Sequence, residues 1–340
     1  MAPHSGSSIT PMDLLRICDG LVIQQALYAA VKLGVADLLQ DGPRSTSEIA
    51  GQIEVHEPAL YRLLRALATQ GVFEETTGRT FANNQLSRFL CTGVPGSVRS
   101  MVLFRGSELF YQCFGEIVYS VQTGQPARSK LFGKSWEYLR DHPELARIFD
   151  DAMTELSALS APAIAAAYNF GAHGTLMDVA GGNGMLLAAI LNVHPALRGV
   201  LADQPHVIER AKQRGFLGGE LAARASLQPC DFLHEVPSGC RAYLMKNAIV
   251  DWNDEQAHTI LDNCRRAVPS DGVLLLVEPI VPDDNRPSWS KIVDLPMLVL
   301  TGGKTRTVDE HRELLAGASF RLNQVVPVVA DLSIIEALPT

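Results

Sequence analysis

From Met12 to Leu33 the apolar residues Leu14, Leu15, Ile17, Leu21, Val22, Ala26, Ala29, Ala30 and Leu33 recur at helical spacing, and Gly34 breaks the run before a short helix at 35–39. Ser45-Thr46-Ser47-Glu48 reads as a capping box opening a helix through Ile53, and Glu57 to Gln70 forms another that closes at Gly71. Residues 72–75 and 79–82, joined by a turn at 76–78, predict a small β-ribbon, so this region has a winged-helix pattern. Residues 97–122 and 134–168 are helical in pattern, and 123–128 reads as a loop between them. Gly171 to Gly174 marks a join, which predicts a first domain over 1–168 and a second over 169–340.

Beyond the join the pattern alternates. Strands are expected at 175–179, 199–202, 225–228, 242–249 and 273–279, with helices at 185–193, 206–213, 254–268 and 308–318. Repeated βα units at this spacing imply an α/β fold, a mostly parallel sheet with helices on both faces. Strands at 321–328 and 333–337, separated by only a few residues, predict an antiparallel hairpin at the sheet edge.

Composition narrows the partners. With 47% hydrophobic residues and a net charge of -8, the chain has ample material for cores and no basic footprint for nucleic acid. The helix that would enter a groove carries Tyr61, Arg62, Leu63, Leu64, Arg65 and Leu67, mostly apolar, so the ribbon region is expected to pack or dimerise. No signal-peptide pattern opens the chain, no apolar run approaches the roughly 18 residues of a span, and no membrane partner is expected. The six cysteines and nine histidines show no metal-ligand spacing. The expectation is a cytoplasmic protein with reduced thiols, no metal and a small-molecule partner.

The candidate chemistry starts at Asp178-Val179-Ala180-Gly181-Gly182-Asn183-Gly184, a glycine-rich turn between a strand and a helix. Such turns let a ligand approach the backbone closely. Asp203 ends the second strand, roughly the 20 residues downstream at which an acid reaches a ribose hydroxyl pair. It also fits as a helix cap. Asp231-Phe232 follows the third strand and Lys246 lies on the fourth, so four strand ends converge on one crevice suited to a nucleotide-like ligand. A dinucleotide is disfavoured, because Gly-Gly-Asn-Gly lacks the G-x-G-x-x-G spacing.

At this point the motifs resemble a family. Asp178 to Gly184, Leu201 to Pro205, Cys230-Asp231-Phe232, Lys246 to Trp252, Leu275 to Glu278, and Gly302-Gly303-Lys304 with Arg306-Thr307 resemble the successive motifs of plant caffeic-acid-type and bacterial small-molecule O-methyltransferases. The resemblance covers nearly the whole chain. It implies a class I methyltransferase Rossmann-like sheet, a helical, winged-helix-like N-terminal domain that dimerises, S-adenosyl-L-methionine as cofactor and S-adenosylhomocysteine as product. It assigns cofactor contacts to Asp178, Gly181, Gly182, Gly184, Asp203, Gln204, Asp231, Phe232 and Lys246.

Two departures fall on the acceptor side. Where the family has a His-Asp-Trp triplet whose His is the general base, this chain has Val250-Asp251-Trp252, and Thr305 stands where a Glu would steady that His. Of the supporting acids, Glu278 is retained. A positioned base contributes about 10²–10⁴-fold, and a phenol with a pKa of about 10 is mostly protonated at neutral pH. The loss favours a nucleophile without a proton, such as a thioether, as in the methylthiohydroxybutyrate S-methyltransferases, for which proximity carries the catalysis. The alternatives are O- or C-methylation with Asp251 or Glu278 as a substitute base, and a non-methylating pericyclase-like relative. Acceptor contacts are expected from Arg105, Tyr111, Tyr119, Arg128, Phe149, Met153, Asn247, Val250 and Met297.

Overall fold

The computed structural model describes residues 9–133 and 135–340, and the side chains of 135–137 are not described. Lys134, expected to start a helix, and residues 1–8 lie outside the described residues.

The chain forms two compact units, one of residues 1–112 with 142–155 and one of residues 113–141 with 156–340. A single boundary at 168 was expected. Instead the helix Pro143–Ala167 contributes to both units, because its uninterrupted helical pattern carries no mark of the change of neighbours.

In the first unit the helices Gly20–Lys32, Thr46–Gln52 and Glu57–Thr69 pack Val31, Ile49, Leu60, Leu64 and Leu67 around Phe81. The capping box at Ser45 is formed, with Glu48 N donating to Ser45 Oγ at 3.2 Å and Ser45 N to Glu48 Oε2 at 2.7 Å. The ribbon is three-stranded, since Arg44–Ser45 joins Thr80–Ala82 opposite Glu74–Glu75. Arg65 and Arg79 lie over the Tyr61 ring at 5.4 and 4.6 Å from its centre, so these cations are engaged within the protein. Residues 97–122 break into Arg99–Arg105, Glu108–Gly115 and Ile117–Thr123. The expectation that no run could span a membrane needs correction. Pro11–Lys32 is 22 residues long and contains an 18-residue window with a mean hydropathy of 1.3 that is largely unburied, so it passes by length and composition, although Asp13, Arg16 and Asp19 interrupt the segment.

The second unit is built on a seven-stranded sheet: β1 Thr175–Val179, β2 Arg198–Asp203, β3 Ala225–Pro229, β4 Ala242–Lys246, β5 Val273–Pro279, β6 Phe320–Val329 and β7 Leu332–Pro339. The order across the sheet is β3-β2-β1-β4-β5-β7-β6, parallel from β3 to β5 and antiparallel at β7 and β6. All seven residues of β5 are buried, as a strand covered on both faces requires. Helix Asp254–Ala267 packs Ile260, Leu261 and Cys264 on one face, together with Leu314 and Leu315. Helix Met185–Val193 packs Leu187, Ile190 and Leu191 on the other, together with Ile164 and Ile208. Five of the six cysteines are buried thiols and Cys18 is exposed. Two helices depart from expectation. Ala127–Phe132 takes up part of the expected loop, and Trp289–Pro296 followed by the π-helical turn Met297–Thr301 was not foreseen.

Candidate active site

After β1 the chain turns through Ala180, Gly182 and Gly184, all at positive φ (58°, 61° and 84°), and enters helix Met185–Val193. Close packing, besides conformation, demands glycine here. A Cβ on Gly181 would stand 2.5 Å from Leu201 Cδ1 and 2.6 Å from the Asp178 carboxyl, and one on Gly184 2.9 Å from Leu217 Cδ1. Asp203 closes the loop, accepting from Gly182 N at 2.9 Å and Gln204 N at 2.7 Å.

Asp178 is 1% exposed, and its Oδ2 has no hydrogen-bond partner among the described residues. Burial first, then the charge of Asp203, push it up to about 7 against the pull of Lys246. Lys246 donates to Ser157 Oγ at 3.4 Å, and burial draws its pKa down while Asp178 and Glu278 draw it up. Cys230 N donates to Asp203 O at 2.8 Å, tying the end of β3 to that of β2. Asp231 is exposed and accepts from Leu233 N at 3.1 Å and pairs with His234 Nδ1 at 2.8 Å, while the Phe232 ring meets Trp252 edge-on at 6.2 Å. A backbone cradle with no room for a Cβ and the orphaned buried oxygen of Asp178 fit an adenosyl amino acid.

On the acceptor side, β4 ends at Lys246 and does not continue to Ile249. Asn247 takes a left-handed φ of 49°, which ends the strand, and residues Ile249–Asp251 form a short 3₁₀ turn. This turn is held from several sides. Glu278 Oε1 accepts from Ala248 N at 3.1 Å and Ile249 N at 3.0 Å. Arg306, 1% exposed, donates to Ile249 O at 3.3 Å, Trp252 O at 3.0 Å and Asp254 at 2.8 Å. Gly303 lies so close that a Cβ there would stand 2.1 Å from Val250 O. Val250 is buried, and Asp251 beside it is half-buried, pushed up to about 7 by burial against the pull of Arg128.

Glu278 was expected to support catalysis, and its contacts show it positioning the turn. Thr305 is engaged with Asp294 of the unforeseen helix, through its N at 2.7 Å and its Oγ1 at 2.9 Å. The Arg306 clamp and the Gly303 approach were missed as well. Their signal was the Gly302 to Thr307 motif, but an arginine in a loop reads as solvated until its burial is seen.

Burial pushes Glu278 up to about 8 from 4.5. The folded state therefore holds this proton more tightly than the unfolded chain. Its contribution is present below about 4.5, falls as pH rises towards about 8, and levels off beyond. Glu278→Gln keeps an oxygen for the two backbone donors and abolishes the titration. Thermal melts of the variant should lose less stability than the wild type between those pH values; equal slopes would contradict this role.

Of the remaining acceptor candidates, the second unit holds Arg128, Asn247, Val250, Asp251 and Met297 together. The helix Ala127–Phe132 packs on the turn Met297–Thr301, which packs on Ile249–Asp251. Tyr119 is in the same unit, its ring beneath Lys130 at 4.9 Å. Arg105, Tyr111, Phe149 and Met153 belong to the first unit, where Phe149 meets Phe104 at 5.2 Å and Tyr111 is 50% exposed.

Comparison with known proteins agrees with this geometry. An O-methyltransferase domain matches residues 114–321, and an O-methyltransferase dimerisation domain matches residues 15–93. A phenazine O-methyltransferase of Lysobacter antibioticus is 40% identical over the whole of both chains. A mitomycin biosynthesis 6-O-methyltransferase of Streptomyces lavendulae is 35% identical, over 96% of this chain and 93% of its own. An O-methyltransferase from neocarzinostatin biosynthesis, solved with S-adenosyl-L-homocysteine and 1,4-dihydroxy-2-naphthoic acid, superimposes with a TM-score of 0.83 at 31% identity, over 98% of this chain and 100% of its own.

Proposed function

This chain belongs to the O-methyltransferase family of S-adenosylmethionine-dependent enzymes, and from that premise we propose that it methylates a hydroxyl group of a fused-ring aromatic metabolite, with Asp251 as general base. Val250 had favoured a thioether acceptor. The O-methyltransferase relatives support instead the alternative of O-methylation, which at Val250 requires another base.

The observation that carries the proposal is Asp251. It is a half-buried carboxyl with a pKa raised to about 7, next to Val250 on a turn held by Glu278, Arg306 and Gly303. A general base works best when its pKa lies near the operating pH, and an ordinary carboxylate would be too weak. Asp178, Gly181, Gly182, Gly184, Asp203 and Lys246 would hold the cofactor, which would supply an electrophilic methyl group. Asp251 would take the proton of the acceptor hydroxyl, so that the methylated product is an aryl methyl ether and the spent cofactor S-adenosylhomocysteine. Fused aromatic rings suit the apolar walls offered by Val250 and Met297 of the second unit. We infer a cytoplasmic homodimer formed through the N-terminal domain.

The test is incubation with methyl-labelled S-adenosylmethionine and separate acceptors: a hydroxyphenazine, a dihydroxynaphthoate and 4-methylthio-2-hydroxybutyrate. Label in an aryl methyl ether supports the proposal. Label confined to a sulfonium product, or absent from every hydroxyl acceptor, overturns it.

A further inference from the structure

Among the charged side chains of the second unit, Arg128 is held in an unusual way. It lies on the helix Ala127–Phe132 and is 3% exposed, yet its Nε and Nη2 are buried with no hydrogen-bond partner among the described residues. The contrast with Arg306 is instructive. That arginine, buried to a similar degree, is satisfied by Asp254 and the carbonyls of Ile249, Lys304 and Trp252. A guanidinium is always charged and has five donors, and leaving it dry and unpaired is expensive. A fold that tolerates this has a partner outside the chain to offer.

The neighbours identify the place. The groups that influence Arg128 electrostatically are Cys113, Tyr138 and Asp251, and burial draws its own pKa down. Cys113 is a thiol that burial pushes up to about 11, so it stays neutral and cannot balance the charge. Asp251 is the proposed base, and it is not bonded to the two orphaned nitrogens. The helix bearing Arg128 packs on the turn Met297–Thr301, and a Cβ on Gly302 would stand 3.4 Å from Pro126, so this helix is seated directly against the acceptor-side loops.

We propose that Arg128 is the recognition site for a carboxylate carried by the aromatic acceptor, and that it selects acidic over neutral acceptors. The planar fork of the guanidinium, with Nε and Nη2 on one edge, matches the two oxygens of a carboxylate in a bidentate pair. The same ion closes the charge balance of the pocket, since Asp251 must be free to take a proton while Arg128 remains paired. The inference deepens the proposed hydroxyl methylation, which rests on Asp251.

Binding, measured apart from turnover, separates the two. Calorimetry on the enzyme loaded with S-adenosylhomocysteine compares 3-hydroxy-2-naphthoate with 2-naphthol, probes that differ only in the carboxylate. Charge-assisted hydrogen bonds of this kind predict that Arg128→Met weakens 3-hydroxy-2-naphthoate by about 10–100-fold and leaves 2-naphthol within about twofold. Arg128→Lys, which keeps the charge and loses the fork, should fall between, and it carries the test if the Met variant does not fold. Equal loss of both probes, no loss of either, or a wild type that prefers 2-naphthol overturns the proposal. Failure of methyl transfer to any hydroxyl would leave these binding ratios untouched.

Discussion

Asp251→Asn is expected to lower kcat on a hydroxylated aromatic acceptor by about 10²–10⁴-fold, the usual contribution of a positioned base. Cofactor affinity should hold, because the charged neighbour of Asp251 is Arg128 and not a residue of the glycine loop. The pH profile gives the sharper readout. Asp251 must be ionised to accept a proton, so the wild-type rate should rise with pH through about 7 and then level off. In the asparagine variant that limb should vanish, and the remaining rate should follow only the ionisation of the acceptor itself. A limb near the same pH in the variant would assign the titration elsewhere. Glu278, pushed up to about 8, is the rival carboxyl, and Glu278→Gln separates the two because its oxygen still accepts from Ala248 N and Ile249 N.

Gly303→Ala should be nearly as damaging, for a steric reason. The added methyl would stand 2.1 Å from Val250 O, 2.4 Å from Asp251 C and 2.6 Å from Trp252 N, all backbone atoms that no side-chain rotation can clear. The turn must move, although Arg306 and Glu278 hold it from other directions. Overpacking of this sort costs about 1–3 kcal/mol, and a displacement of about 1 Å at a reacting group can cost on the order of 10²-fold in rate. Thermal melts and kcat should therefore both fall. Gly51→Ala is the matched control. That glycine lies in the helix Thr46–Gln52 with nothing within 4 Å of an added Cβ, so its melt should stay level or rise. Wild-type kcat in Gly303→Ala would show that the placement of the turn does not govern the reaction.

Both variants act on features of unequal legibility. The donor loop was readable because its code is local: a strand, glycines at positive φ and an apolar helix follow one another directly. β1, β5 and helix Met185–Val193 were recovered with their boundaries for the same reason. Ala127 and Arg128, the start of the helix Ala127–Phe132, were read as loop because Gly124 and Pro126 signal a break, whereas Pro126 stands at the N-cap position of that helix. The helix Trp289–Pro296 was hidden by the prolines around it.

By itself the sequence determined the alternating βα pattern, the capping box at Ser45, the glycine loop and the absence of a histidine at position 250, since each is written in neighbouring residues. Only the tertiary structure decided which acids are raised towards neutral pH, which arginine is paired and which is not. Arg128 and Arg306 are indistinguishable as letters. Among the described residues, burial and partners drawn from distant segments leave two donors of the first unmet and tie the second to Asp254 and the turn that carries Asp251. The desolvation that raises the Asp251 carboxyl towards neutral pH exists only once the sheet, its helices and the loops at its strand ends have closed around it.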